Sequence, residues 1–348
     1  GSWSKSMIEG RLYRSLTEQD SVVCLVCERR CVLRKGVKGL CGNYVNLDGK
    51  LYSIGYGKLS AVESRPIEIK PLFHYWPNST ALTFSGFGCN FYCPWCQNHF
   101  LSFRHPGDEP LVQPSYIVRL AKSLGDEGLS ASFNEPTINY EYLIDVATLA
   151  KRESLYLTIV TNGYQSLEAL NELIESGFDG WSIDIKGCPN MKRALPNIDH
   201  NKIFRNAKLV LDSGGHVEMV YLVVTKTNDS EECVDWIIDK HVSELGPEVP
   251  LHVNKYYPAH KWREEQTPLR KLLEIRDKAR KEGIEYVYVG NVGIPELETT
   301  KCPKCGKTLI TRYNYRVIEF NLVRDGSIYK CPRCNTRIPV RGNYVAGK

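Results

Sequence analysis

Thirteen cysteines in a chain of 348 residues fall into three tight groups and two outliers, and this grouping limits what the chain can fold around. The groups are Cys24, Cys27, Cys31 and Cys41; Cys89, Cys93 and Cys96; and Cys302, Cys305, Cys331 and Cys334. Cys188 and Cys233 stand apart and read as structural thiols, although Cys188 follows a predicted strand close to the expected site. An odd total without an export-like opening argues against a disulfide framework. Gaps of two and three residues argue for metal ligation, because a short knuckle aims two sulfurs at one point. A reducing, cytoplasmic setting is the expectation. Gly1–Ser6 reads as an appended tag. No run of 18 apolar residues occurs, so no membrane partner is expected.

Each group carries its own chemistry. Cys302-Pro303-Lys304-Cys305 and Cys331-Pro332-Arg333-Cys334 are paired knuckles across a strand-rich stretch, which predicts a zinc ribbon with a turn at Gly306. Cys24, Cys27, Cys31 and Cys41 lie within 18 residues and suit one centre, either zinc or an auxiliary iron–sulfur cluster, with Gly36, Gly39 and Gly42 supplying turns. Cys89, Cys93 and Cys96 are only three. Three thiolates hold three irons of a [4Fe–4S] cluster and leave the fourth iron open to a substrate or cofactor. Trp95 would shield such a cluster from water. The competing reading is a zinc site completed by His99 or His105.

Between the cysteine-rich ends, strand and helix patterns alternate. Strands are predicted over Ala81–Phe87, Leu129–Phe133, Tyr156–Thr161, Trp181–Ile185, Val217–Val224, Leu251–Asn254 and Tyr286–Val289. Helices are predicted over Pro114–Leu124, Tyr140–Lys151, Leu167–Glu175, Ile203–Leu211, Glu231–Glu244 and Leu269–Glu282. Six strand–helix units in series demand parallel strands, which predicts a partial (β/α)6 barrel, with a flat doubly wound sheet as the alternative. The expected domains are 1–75, a metal-binding head built on four cysteines; 76–298, the barrel; and 299–348, the ribbon. Ligands gather at the C-terminal ends of parallel strands. There the sequence places Asn134-Glu135-Pro136, Thr161-Asn162-Gly163-Tyr164, Asp184-Ile185-Lys186, His252 and Asn254, and Gly290-Asn291-Val292.

The segment Cys89-Asn90-Phe91-Tyr92-Cys93-Pro94-Trp95-Cys96-Gln97-Asn98 resembles the signature of the radical S-adenosylmethionine (radical SAM) superfamily. More narrowly, the chain is similar to the pyruvate formate-lyase activating enzyme-like branch called AmmeMemoRadiSam radical SAM proteins. The Cys24–Cys41 head, Pro66-Ile67-Glu68-Ile69-Lys70-Pro71-Leu72, Asn134–Ile138 and the closing ribbon share in that likeness. The resemblance implies a [4Fe–4S] cluster whose open iron is chelated by S-adenosyl-L-methionine. It implies reductive cleavage to a 5′-deoxyadenosyl radical and hydrogen abstraction from a substrate. It also implies an oxidoreductase fed by a low-potential donor such as ferredoxin or flavodoxin. By position, Asn134 and Glu135 would lie near the methionine amino group and Thr161, Asn162 and Gly163 would line the cofactor. Asp184 and Lys186 would lie by the cofactor or a cation, and His252 near the ribose. Asn-Glu-Pro stands where standard activating enzymes carry Gly-Gly-Glu.

Charge points to the partner. Residues 301–348 carry 11 basic and two acidic side chains, whereas residues 61–300 carry 24 and 33. Arg312, Arg316, Arg324, Lys330, Arg333, Arg337 and Arg341 interleave with Tyr313, Tyr315, Tyr329 and Tyr344. Such a surface suits an RNA or an acidic protein, or docks on the acidic middle. The competing functional class is a zinc-dependent RNA- or protein-binding module without catalysis, which has no need of an open coordination site.

Overall fold

Apolar strands and amphipathic helices assemble here into two compact units, seen in a computed structural model that describes residues 7–18, 20–96 and 98–348. Gly1–Ser6, read above as a tag, and Gln97 of the cysteine loop lie outside the described residues. The first unit runs to Ser64 and resumes over Ala81–Asp179; the second comprises Arg65–Thr80 and Gly180–Lys348.

In the first unit, β1 (Thr80–Ser85), β2 (Gly128–Ala131) and β3 (Tyr156–Thr161) pair in parallel, with Ala81 and Tyr156 both opposite Gly128. All of β1 and β2 is buried, which is why these strands read as continuous apolar or small residues rather than alternating ones. Helices α1 (Pro114–Ser123), α2 (Tyr140–Arg152) and α3 (Leu167–Ser176) supply the returns. Pro114 opens α1, where its missing N–H costs nothing. Ser166 caps α3 by accepting from Ala169 N at 3.1 Å, and Gly177 ends it at φ 119°. The head adds two small antiparallel sheets, Tyr13–Ser15 with Val22–Cys24 and Val32–Leu33, and Tyr44–Leu47 with Lys50–Ser53 and Ile8–Glu9.

In the second unit, β4 (Phe178–Ile185), β5 (His216–Val223), β6 (Leu251–Lys255) and β7 (Val287–Gly290) pair in parallel. Between them run α4 (Asn201–Asp212), α5 (Glu231–Lys240) and α6 (Leu269–Lys281). All six predicted strand–helix repeats are present, and the fold is α/β with a parallel sheet. Within each unit the strands stand in sequence order, without the reversal that a doubly wound sheet requires. The ribbon follows as hairpins over Thr308–Phe320 and Val323–Lys330. Its Leu309, Ile310, Tyr329 and Val340 share one apolar core with Tyr286 and Tyr288. No helix among the described residues is long and apolar enough to cross a membrane.

The second unit buries neutral histidines. His241 is fully buried, its Nε2 lies 2.8 Å from the Val249 carbonyl, and burial lowers its pKa to about 4. Below about pH 6.5 the unfolded chain takes a proton that the folded chain refuses. This contribution to stability is therefore complete above pH 6.5 and is lost as the pH falls toward 4. His241→Gln, which keeps a donor for Val249, flattens that decline by up to about 1.4 kcal/mol per pH unit. Urea unfolding between pH 7 and 4.5 measures it, and an unchanged slope refutes it.

Candidate functional site

In the first unit the strand ends are organised by one buried carboxylate. Glu135, 3% exposed, follows β2. Its Oε1 accepts from Thr161 Oγ1 at 3.0 Å and Asn162 N at 2.8 Å, and its Oε2 from Thr161 Oγ1 at 2.8 Å and Thr137 N at 3.1 Å. Burial raises its pKa, while the bonds from Asn162, Thr161 and Thr137 pull it back. Sequence reasoning made this acid a partner for an ammonium; here its oxygens hold the loop after β3 in place. Asn162 Oδ1 then accepts from Tyr164 N, and Gly163 turns at φ 75°.

Asn134 does the same for the loop after β1. Its Oδ1 accepts from Gly86 N at 3.0 Å and Ser85 Oγ at 3.2 Å, and its Nδ2 donates to the Gly88 carbonyl at 3.2 Å. Phe133, immediately before, is held at φ 73°, a costly conformation for an aromatic residue that lets Asn134 turn back on β1. Gly88 at φ 90° has no room for a side chain, because a Cβ there would sit 2.5 Å from the Cys41 carbonyl. The cysteine loop and the head therefore meet at Gly88.

Two N–H donors of the site reach one of the loop's sulfurs, Cys89, and Cys96 lies beside a hydroxyl. Phe91 N lies 3.3 Å and Asn162 Nδ2 3.9 Å from Cys89 Sγ, and Ser102 Oγ lies 3.7 Å from Cys96 Sγ. Cys93 and Trp95 are buried. The head cysteines line a single pocket with Asn90, Ile138 and Tyr44. Arg29 joins head to loop by donating to the Asn90 carbonyl at 3.0 Å and lying over the Phe91 ring. Asn90 is a residue that sequence reasoning missed. Its Oδ1 accepts from Asn162 Nδ2 at 2.7 Å. Its position directly after Cys89 was the available signal.

The second unit holds the remaining candidates. Asp184 and Lys186, at the end of β4, form a pair at 3.5 Å, both partly exposed. Asn228, fully buried, donates to the Lys186 carbonyl at 3.3 Å. His252 is the second residue of β6, with its Nε2 2.9 Å from Glu218 Oε1. Glu218 also accepts from His216 Nε2 at 2.8 Å and from the backbone N–H groups of Phe73 and His74 at 2.9 and 3.0 Å. Burial alone would raise the Glu218 pKa, yet His216 and His252 hold it well below the ordinary carboxylate range.

Two expectations are corrected here. Cys188 and Cys233, read as separate thiols, are joined in a disulfide. The crossover through α4 brings the third residue of α5 beside Cys188, a proximity that spacing does not reveal. Arg312, read as part of a basic surface, is 1% exposed. It donates to Glu298 O, Thr300 Oγ1 and Phe73 O at 2.7–3.1 Å and packs over the Phe73 ring, because a buried guanidinium needs several acceptors.

The ribbon cysteines converge: Cys302 and Cys334 sulfurs lie 3.5 Å apart, Cys305 and Cys331 3.6 Å apart, and all four lie within 4.8 Å of one another. Tetrahedral zinc with bonds of ~2.3 Å places its sulfurs about 3.8 Å apart.

The sequence matches a known family. A profile described as the Radical SAM superfamily matches residues 84–237. A relative from Methanocaldococcus jannaschii, Uncharacterized protein MJ0808, is 35% identical over 337 residues, which is 96% of this chain and 99% of that protein. The chain belongs to the radical SAM superfamily. A second protein of that organism, MJ1227, provisionally named a glycyl-radical enzyme activating enzyme, is 25% identical over 65% of this chain and 92% of its own. Among solved structures, Streptococcus suis SuiB bound to S-adenosylmethionine aligns at TM-score 0.48 and 16% identity, over 62% of this chain and half of SuiB. A radical SAM methyltransferase from Sphaerobacter thermophilus aligns at TM-score 0.47 and 12% identity, over 87% and 81%.

Within this radical SAM chain, Glu135→Gln tests the strand-end assembly. An amide must turn an N–H toward Thr137 N or Asn162 N, opposing donor to donor. A loss of about 2 kcal/mol in unfolding free energy is expected, with Glu135→Asp intermediate. Chemical denaturation that leaves Glu135→Gln as stable as the parent refutes this role.

Proposed function

We propose that the protein is a radical SAM enzyme of the activating-enzyme type, acting on a protein substrate. The observation that carries this reading is a loop of three cysteines at the end of β1, with two N–H donors at Cys89 and pinned by the strand-end residues of β2 and β3. Three clustered thiolates, one of them facing two N–H groups, suit an anionic iron–sulfur cluster, because such donors disperse charge on sulfur. Cys89, Cys93 and Cys96 would hold it. The chemistry supplied by the bound cluster and S-adenosyl-L-methionine is one-electron cleavage of a carbon–sulfur bond and hydrogen abstraction from a substrate carbon.

The chain's own residues position and exclude. Asn134 fixes Gly86 and Gly88, the backbone leading into the cysteines. Glu135 sets Thr161 and Asn162, and Asn162 reaches Cys89. Asp184, Lys186 and His252 remain candidates for the nucleotide by resemblance, with His252 engaged by Glu218. Trp95 and Phe91 keep water from the loop, which protects reactive intermediates. A ferredoxin- or flavodoxin-like donor would supply the electron. The ribbon cysteines would hold zinc, given their sulfur spacing.

A protein substrate is favoured over RNA because four of the ribbon's arginines are held within the fold, which leaves fewer of them to track a phosphate backbone. Arg312 is buried, Arg324 bonds Asn343, Arg337 pairs with Glu248 and Arg341 bonds Gly214 O. The likeness to MJ1227 supports the same choice.

Anaerobic reconstitution with iron and sulfide, followed by a low-potential reductant and S-adenosyl-L-methionine, is expected to release 5′-deoxyadenosine. Cys93→Ala is expected to lower the yield at least 100-fold while the ribbon keeps its metal. Absence of 5′-deoxyadenosine from protein holding a full cluster rejects the reading. Deuterium transfer into cellular RNA rather than protein overturns the substrate class.

A further inference from the structure

Four cysteines of the head face one pocket, yet their geometry differs from that of the ribbon. Cys24 and Cys41 are buried, Cys27 and Cys31 are half-buried, and all four line the same space. Among the described residues, only the ribbon brings three or more such ligand atoms within 4.8 Å of one another. Neither the head nor the Cys89, Cys93 and Cys96 loop closes to that distance. Coordination chemistry distinguishes the two cases. A single zinc draws its four thiolates to about 3.8 Å. A [4Fe–4S] cube puts each thiolate on a different iron, so its ligands stand roughly 6 Å apart.

A second observation points into the same pocket. Asn90 is 1% exposed and its Oδ1 is held by Asn162, which turns Nδ2 the other way. Asn90 lines the head pocket, and its Nδ2, which finds no oxygen or nitrogen acceptor among the described residues, is directed at the Cys27 sulfur. An anionic sulfide or thiolate in the pocket would accept from it, and N–H groups directed at sulfur are a usual way of tuning such clusters. Ile138, Val26 and Leu40 give the remaining wall an apolar character, and Arg29 and Arg30 border it. Arg30 is paired with Glu28 and Glu168, so Arg29 is the cation at this wall that suits the net charge of about −2 carried by an oxidised cube with four thiolates.

We infer that Cys24, Cys27, Cys31 and Cys41 bind a second [4Fe–4S] cluster, ligated entirely by protein, with the Asn90 amide donating to it. Four protein ligands leave no iron open, so this centre does not bind the nucleotide and suits one-electron transfer. Asn90 adjoins Cys89 in sequence and lines the head pocket. One residue therefore lies beside both centres. The inference extends the radical SAM reading without depending on its substrate.

Metal content separates the outcomes. The full chain, reconstituted anaerobically with iron and sulfide, is expected to hold about eight irons and one zinc. The Cys89→Ala/Cys93→Ala/Cys96→Ala variant is expected to keep about four irons, one zinc and a paramagnetic signal after reduction. A Cys27→Ala/Cys31→Ala variant is expected to lose the other four. Asn90→Ala is expected to leave the iron count unchanged and make the head cluster harder to reduce. Two zincs and no iron in the first variant overturn the inference and leave the radical SAM reading intact. An iron content in that variant equal to the parent's removes the radical SAM reading instead. Should that variant fail to fold, Mössbauer spectra of the parent decide: about one iron in eight, the single open iron of two cubes, is expected to respond to S-adenosyl-L-methionine. A response from about one iron in four overturns the second centre.

Discussion

A carboxylate taken out of water must be surrounded by donors, and Glu135 shows what that requirement can build. It recruits the Thr161 hydroxyl and the backbone N–H groups of Asn162 and Thr137. Those groups belong to separate loops. Satisfying one buried charge therefore registers the end of β2 against the end of β3 and leaves Asn162 directed at Asn90 and Cys89. Asn134 adds the end of β1 through Gly86 and Gly88. The cysteine loop thus inherits its position from hydrogen bonds among its neighbours rather than from any regular element of its own.

The second unit uses the same physics for a different end. Glu218, fully buried, gathers His216, His252 and two backbone N–H groups from residues 73 and 74. His74 continues through Tyr288 and Thr300 to Arg312, so a polar chain crosses the apolar core that the ribbon shares with Tyr286 and Tyr288. Glu218 is the third residue of β5 and His252 the second of β6, so this cluster sits toward the starts of those strands.

Much of this was legible without coordinates. The predicted strand Tyr156–Thr161 has those bounds in the structure, and Leu167–Glu175 differs from α3 by one residue, because Ser166 and Gly177 mark its ends chemically. Other ends moved. The predicted strand Leu129–Phe133 stops at Ala131, since Phe133 adopts a left-handed conformation that no ladder tolerates. The ribbon's basic character was legible too, but which of its cations are spent internally was not. Arg312 and Arg316 look alike in sequence and differ entirely in burial.

Sequence by itself determined the ligand inventory, the order of strands and helices, and the sites where chemistry gathers. Cysteine spacing, apolar period and turn residues are local properties that short segments carry with them. Tertiary structure decided everything that rests on distance between segments remote in the chain. It chose which sulfurs close on a single ion and which stand apart, that Cys188 meets Cys233, that Glu135 holds loops, and that Asn90 is left with an amide facing the head. The reason is physical: the pairing of a buried polar group depends on which donors the packed fold brings within about 3 Å, and no local pattern records that.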